Sequence, residues 1–105
     1  MQKTIPFTLQ QAQSWRSRFG TPFYVYDEQG ITRTVKALQE AFSWNKGFTE
    51  CFAVKANPTP AILRLLRSLG CGTDCASLSE LVLSSVSGIS GRHIMFTSNE
   101  TSDEA

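Results

Sequence analysis

The stretch CFAVKANPTPAILRLLRSLGCGTDCA, residues 51–76, reads as one complete strand, helix and strand. Cys51 to Ala56 is an apolar run with one lysine in it. It must break at Asn57-Pro58, because a residue before proline is pushed away from helical geometry and proline punctuates a strand. Thr59 and Pro60 then open a helix, where proline at the first position loses no hydrogen bond. Ile62, Leu65, Leu66 and Leu69 supply its inner face up to Gly70. Gly72-Thr73-Asp74-Cys75-Ala76 is the next strand. Strands joined by a helical crossover of this length run parallel.

The same alternation extends both ways. Downstream, Ser77-x-x-Glu80 is a capping-box pattern before Leu81, Val82 and Val86, with Gly88 as the stop, and His93 to Thr97 forms another strand. Upstream, Pro22 precedes the aromatic and β-branched run Phe23-Tyr24-Val25-Tyr26, which suits a buried strand. Asp27 caps a helix with Ile31, Val35, Leu38 and Phe42 on one stripe, followed by a loop from Ser43 to Gly47. Before that, Thr8 caps a helix carrying Leu9, Ala12, Trp15 or Arg16, and Phe19, which Gly20 ends. The sequence is therefore predicted to hold about four parallel strands with crossover helices, in an α/β unit over residues 22–105 behind a leading helical segment, residues 1–21. Ser98 to Ala105 reads as a loop, a cap and the first turn of a further helix. This pattern fits an open flavodoxin-like sheet and half of an eight-stranded barrel equally well.

Composition narrows the function classes. A chain of 105 residues, 41% apolar with seven Phe, has the material for one small core, which excludes wholesale disorder. A net charge of +1 without basic runs leaves no electrostatic footprint for nucleic acid or an anionic membrane. No apolar run approaches the roughly 20 residues of a membrane span. The opening MQKTIPFTLQQ also lacks a secretion signal's apolar run, so a cytoplasmic protein is expected. Three cysteines, Cys51, Cys71 and Cys75, are an odd number that argues against a disulfide framework. Cys71-x-x-x-Cys75 and a single histidine do not make a zinc site, and no metal is expected.

Candidate chemistry gathers at the strand ends. Lys55 stands at the carboxyl end of its strand, the end at which parallel α/β folds build active sites. A desolvated lysine loses its proton readily, and the neutral amine condenses with an aldehyde; the bland alternative is a lysine that snorkels from a buried stem. Asp74 ends the next strand, so parallel neighbours bring it to the same rim, where an ion pair or hydrogen bond would orient the amine. An ordinary loop carboxylate is the competing reading. Ser77 and Glu80 are read as the capping box. His93 starts its strand, the wrong end for chemistry, while Asn99, Thr101 and Ser102 lie at the right end and serve equally well as helix caps. Gly70-Cys71-Gly72 precedes a strand, whereas a phosphate loop follows one.

These residues carry a resemblance. TPFYVYDEQGI, then AFSWNKGFTECFAVKANPTPAILRLLRSLGCGTDCASLSEL, then HIMFTSNETSDEA closely resemble the N-terminal part of the bacterial diaminopimelate decarboxylases. Those enzymes belong to the pyridoxal-phosphate decarboxylases of the alanine-racemase-like barrel fold, together with ornithine and arginine decarboxylases. FAVKAN followed by GTDCAS is the specific signal, and AFSWNKGF favours the diaminopimelate branch. The resemblance implies an incomplete (β/α)8 TIM-type barrel, with the histidine over the cofactor ring, the glycine-rich phosphate loop and the glutamate at the pyridine nitrogen lying outside these residues.

It further implies that Lys55 holds pyridoxal 5'-phosphate. Ala53, two residues earlier on the same strand face, and Asp74 match positions that line the cofactor. Many family members carry lysine where this chain has Thr101, a departure taken as variation. The implied reaction is decarboxylation of meso-diaminopimelate to L-lysine, with a small amino-acid substrate, no nucleic acid or membrane partner, and a homodimeric parent enzyme. The isolated 105-residue chain is expected to be inactive. The alternatives are an ornithine- or arginine-type decarboxylase, and a non-catalytic truncated homologue that binds a partner through an exposed sheet edge.

Overall fold

Three short strands, β1 (Cys51–Ala53), β2 (Gly72–Cys75) and β3 (Ile94–Phe96), pair in the order β1-β2-β3, each parallel to the next. The computed structural model describes residues 3–105. Its helices are α1 (Leu9–Phe19), α2 (Glu28–Ala41), α3 (Pro60–Ser68) and α4 (Leu78–Val86). The chain divides into two units, Met1–Ile31 and Thr32–Ala105.

In the second unit, α3 and α4 are the crossovers between successive strands, and both lie against β2. Pro60 opens α3 as expected, and Ile62, Leu63 and Leu66 are its buried residues. Leu63, absent from the face read in the sequence, is wholly buried and joins Val54, Cys75 and Ile89 in the core, with Phe52, Leu81, Leu83 and Ile94 packed around them. Gly72 permits the β2–β3 approach: a Cβ there would stand 2.3 Å from the His93 carbonyl oxygen and 3.3 Å from Cys51 Sγ. Hydrogen bonds add to these contacts. Gln39 on α2 donates to the Leu69 carbonyl at 2.7 Å, and Phe42 stacks on Phe48 with ring centroids 4.4 Å apart.

α4 forms behind the expected Ser77 cap and turns polar residues inward. Its buried residues are Glu80 and Ser84, while Leu78, Val82 and Val86 stand 43%, 53% and 64% exposed. The cap decides the orientation: the Glu80 carboxylate accepts from the Ala76 N–H and the Ser77 hydroxyl, which turns its helix face inward. Ser84 follows on that face and meets the Thr73 hydroxyl at 2.9 Å and Cys75 Sγ at 3.2 Å. Polar groups of α4 thus satisfy polar groups of β2, while Leu81 and Leu83 pack on the core and Leu78, Val82 and Val86 stand outside.

In the first unit, α1 begins at a complete capping box. Gln11 N–H donates to Thr8 Oγ1 at 3.1 Å, and Thr8 N–H donates to the Gln11 side chain at 2.8 Å. It ends at Gly20, whose φ of 74° suits glycine. Phe7 meets Trp15 edge-on at 5.4 Å. Phe23-Tyr24-Val25-Tyr26, expected as a strand, takes no place in the sheet, so three strands replace the predicted four. The run has no paired neighbour, and without one, propensity alone does not make a strand. Tyr24 is 90% exposed and stacks beside Tyr26.

Two further expectations change. Residues 54–56 wind into a 3₁₀ turn instead of continuing β1, and Gly91–His93 form another before β3. Near the end, where the sequence reading has the first turn of a further helix, a single turn is present, in which Ala105 N–H donates to the Ser102 carbonyl at 3.1 Å.

Candidate functional site

Parallel pairing places the sheet's side chains in two sets. Phe52, Thr73 and Ile94 share one register level, and Ala53, Asp74 and Met95 share the next. Alternation puts these levels on opposite faces. The first faces the helices, since Thr73 bonds Ser84 of α4. The second lies on the face opposite α4, where Ala53 and Asp74 are half-buried and Met95 is 51% exposed.

Lys55 leaves the chain just past the carboxyl end of β1, in the 3₁₀ turn Val54–Ala56. Strand alternation stops at Ala53, so the expected same-face pairing of Ala53 with Lys55 does not extend to the lysine. Val54 plugs the core with no exposure, and Lys55 and Ala56 face solvent. Of the two sequence readings, a desolvated lysine and one that reaches solvent, the structure shows the exposed one.

Asp74 reaches the rim as expected, but its partner is different. Thr97 Oγ1 donates to Asp74 Oδ1 at 2.9 Å. Thr97 is itself held by its own N–H, which donates to the Cys75 carbonyl at 2.8 Å and continues the β2–β3 ladder past β3. The sequence reading missed this threonine. The available signal was its place at the end of the strand beside that of Asp74.

The remaining candidates fall elsewhere. Ser77 accepts from Glu80 N–H at 3.3 Å, so both serve the α4 cap. His93 sits in the turn before β3 and, with Thr49, Arg92 and Met95, lines a hollow of about 280 Å³. Asn99, Thr101 and Ser102 are exposed in the irregular tail. Burial, and after it the Glu50 carboxylate, push the thiols of Cys51 and Cys71 above the ordinary range, with small further contributions from Asp74 on Cys51 and from Cys51 on Cys71. All three cysteines are free, and among the described residues no three His, Cys, Asp or Glu gather as metal ligands. No helix among the described residues is long and apolar enough to cross a membrane.

The donor set fits a flat aldehyde cofactor: an accessible primary amine on Lys55, the small Ala53 at the end of the adjoining strand, and a rim carboxylate on Asp74. Comparison with known proteins agrees. Residues 28–105 match the family model for the pyridoxal-dependent decarboxylases, pyridoxal binding domain. Protein TabA of Pseudomonas amygdali pv. tabaci is 49% identical over 84 residues, covering 80% of this chain and 20% of that protein. The diaminopimelate decarboxylase of Methanocaldococcus jannaschii is 40% identical over 87 residues, or 78% of this chain and 20% of that one. Its crystal structure superposes with a TM-score of 0.82 at 37% identity, over 89% of this chain and 23% of that one. An ornithine decarboxylase structure from Entamoeba histolytica gives a TM-score of 0.73 at 31% identity, over 87% and 29%. The chain spans about a fifth of the length of these curated relatives.

Proposed function

We propose, since this chain belongs to the pyridoxal-dependent decarboxylases through their pyridoxal-binding domain, that it contributes the cofactor lysine of an enzyme converting meso-diaminopimelate to L-lysine. The fold is part of the family's alanine-racemase-like barrel, with parallel strands and crossover helices. The observation that carries the reading is Lys55, exposed just past the carboxyl end of a parallel strand, one strand away from Asp74. When bound, pyridoxal phosphate supplies an aldehyde that joins amines and an electron sink for the pair left by a departing carboxylate. Lys55 supplies the amine that would hold it. Ala53, with no side chain beyond its methyl, leaves room beside β2, and Asp74 offers a carboxylate oxygen to an N–H or cationic group. At the rim the Lys55 amine would also be placed to hold or deliver a proton.

Diaminopimelate is favoured over ornithine or arginine by the diaminopimelate decarboxylases among the relatives and by the higher TM-score of the Methanocaldococcus structure. A second crystal structure of that protein is a complex with L-lysine, the product of this reaction. The parent protein is assigned as a cytoplasmic homodimer that takes a small amino acid. Incubating the protein that carries this chain with pyridoxal phosphate and each amino acid tests the substrate: L-lysine and carbon dioxide should come from meso-diaminopimelate. Product from ornithine or arginine instead would transfer the assignment. Turnover by the 105-residue chain alone would contradict the view that the site needs the rest of the barrel.

A further inference from the structure

Asp74 is held from one side only. Among the described residues its carboxylate accepts a single side-chain hydrogen bond, from Thr97 Oγ1 to Oδ1 at 2.9 Å. Thr97 is suited to hold a fixed direction. It is β-branched and therefore stiff at χ1, and its N–H is tied to the Cys75 carbonyl at 2.8 Å. Cys75 is the residue after Asp74, so one threonine grips β2 at two adjacent residues, by backbone and by side chain. Asp74 also shares its register level with Ala53 on β1 and Met95 on β3, on the sheet face opposite α4. With the Thr97 hydroxyl on Oδ1, Oδ2 is the carboxylate oxygen that accepts no hydrogen bond among the described residues.

We propose that Thr97 is a positioning residue: its hydroxyl fixes the Asp74 carboxylate so that Oδ2 meets the pyridoxal phosphate held by Lys55. This rests on the cofactor reading above. A hydroxyl that merely stabilised the end of β3 would act the same way whether or not Asp74 carried a charge. A hydroxyl that acts through Asp74 would not.

The test uses the protein carrying this chain, titrated with pyridoxal phosphate. Affinity is read from the visible absorption of the bound cofactor, and occupancy of Lys55 from borohydride trapping and peptide mass. Thr97→Val keeps the shape and removes the donor, Thr97→Ser keeps the donor, and Asp74→Asn removes the charge. Thr97 is exposed, so these changes leave the core alone. A hydrogen bond to a charged group sets the scale: Thr97→Val should weaken binding about tenfold, and Thr97→Ser should stay within about twofold. In the Asp74→Asn background, Thr97→Val should add less than about twofold, the sign of a coupled pair. Equal affinity of Thr97→Val and the parent overturns this proposal alone, as does an undiminished Thr97→Val effect in the Asp74→Asn background. Absence of a Lys55 adduct in every protein, the parent included, overturns the cofactor reading and this proposal with it.

Discussion

Phe23-Tyr24-Val25-Tyr26 and Cys51-Phe52-Ala53 look alike as sequence and differ as structure. Both are short apolar runs, and the first has the stronger strand composition, with two tyrosines and a valine. Yet Cys51–Ala53 pairs with Gly72–Asp74 residue for residue, while the aromatic run pairs with nothing in the sheet and leaves Tyr24 90% exposed. Neighbours make the difference. Cys51–Ala53 is followed within the described chain by a crossover helix and a parallel partner, which satisfy its backbone and bury Val54 behind it. Phe23–Tyr26 instead lines a hollow of about 410 Å³ with Trp15 and Phe19.

Substitutions can break this contrast or sharpen it. The largest effect is expected at Leu63, which has no exposure. Leu63→Ala should cost about 2–5 kcal/mol through lost burial and the cavity left behind, read as a lower urea midpoint. Gly72→Ala follows at about 1–3 kcal/mol, because its Cβ would stand 2.3 Å from the His93 carbonyl oxygen and must push β3 away. Hydrogen exchange would locate that damage at Thr97 N–H, which bonds across this pair of strands; unchanged protection there would separate Gly72 from the β2–β3 approach.

Thr8→Ala should cost about 1 kcal/mol by opening the α1 capping box, seen as lost helical signal. Tyr24→Ser should fall within about 0.5 kcal/mol, the expectation for a surface change. A stability loss there as large as at Leu63 would erase the difference between the two runs.

A pH series probes the second unit separately. The Cys51 and Cys71 thiols are held above their ordinary values by burial and, less, by Glu50. Their protonated form is therefore favoured in the folded chain, and unfolding releases protons in alkaline solution. That contribution to stability is complete below the ordinary thiol range and declines as pH rises through it and on to the raised folded values. Replacing Cys71 by Ser should flatten the alkaline part of the urea midpoint against pH; an unchanged slope would assign it to other groups.

Local chemistry made much of this legible in advance. Pro60 opened α3, Thr8 and Ser77 capped their helices, and Lys55 fell where an apolar strand met Asn57-Pro58. Each depends on residues within a turn of one another, so spacing suffices. Asp74 was also found at the rim, because crossover length dictates parallel neighbours. The buried polar face of α4 was not legible locally, since the capping pattern of Ser77 and Glu80 and the apolar residues Leu81, Val82 and Val86 assign no inner face. The actual inner face is set by Glu80 reaching back to Ala76 and by Ser84 meeting Thr73 and Cys75, residues of β2.

The sequence by itself determined the parallel strand, helix and strand units and a lysine at one strand's carboxyl end, because backbone restrictions, caps and crossover lengths act over a few residues. Tertiary structure alone decided that Phe23–Tyr26 stays out of the sheet, that Gly72 admits β3, and that Asp74 answers to Thr97. Those outcomes depend on which distant segment supplies a hydrogen-bond partner or occupies a given volume, and neither is written in local spacing.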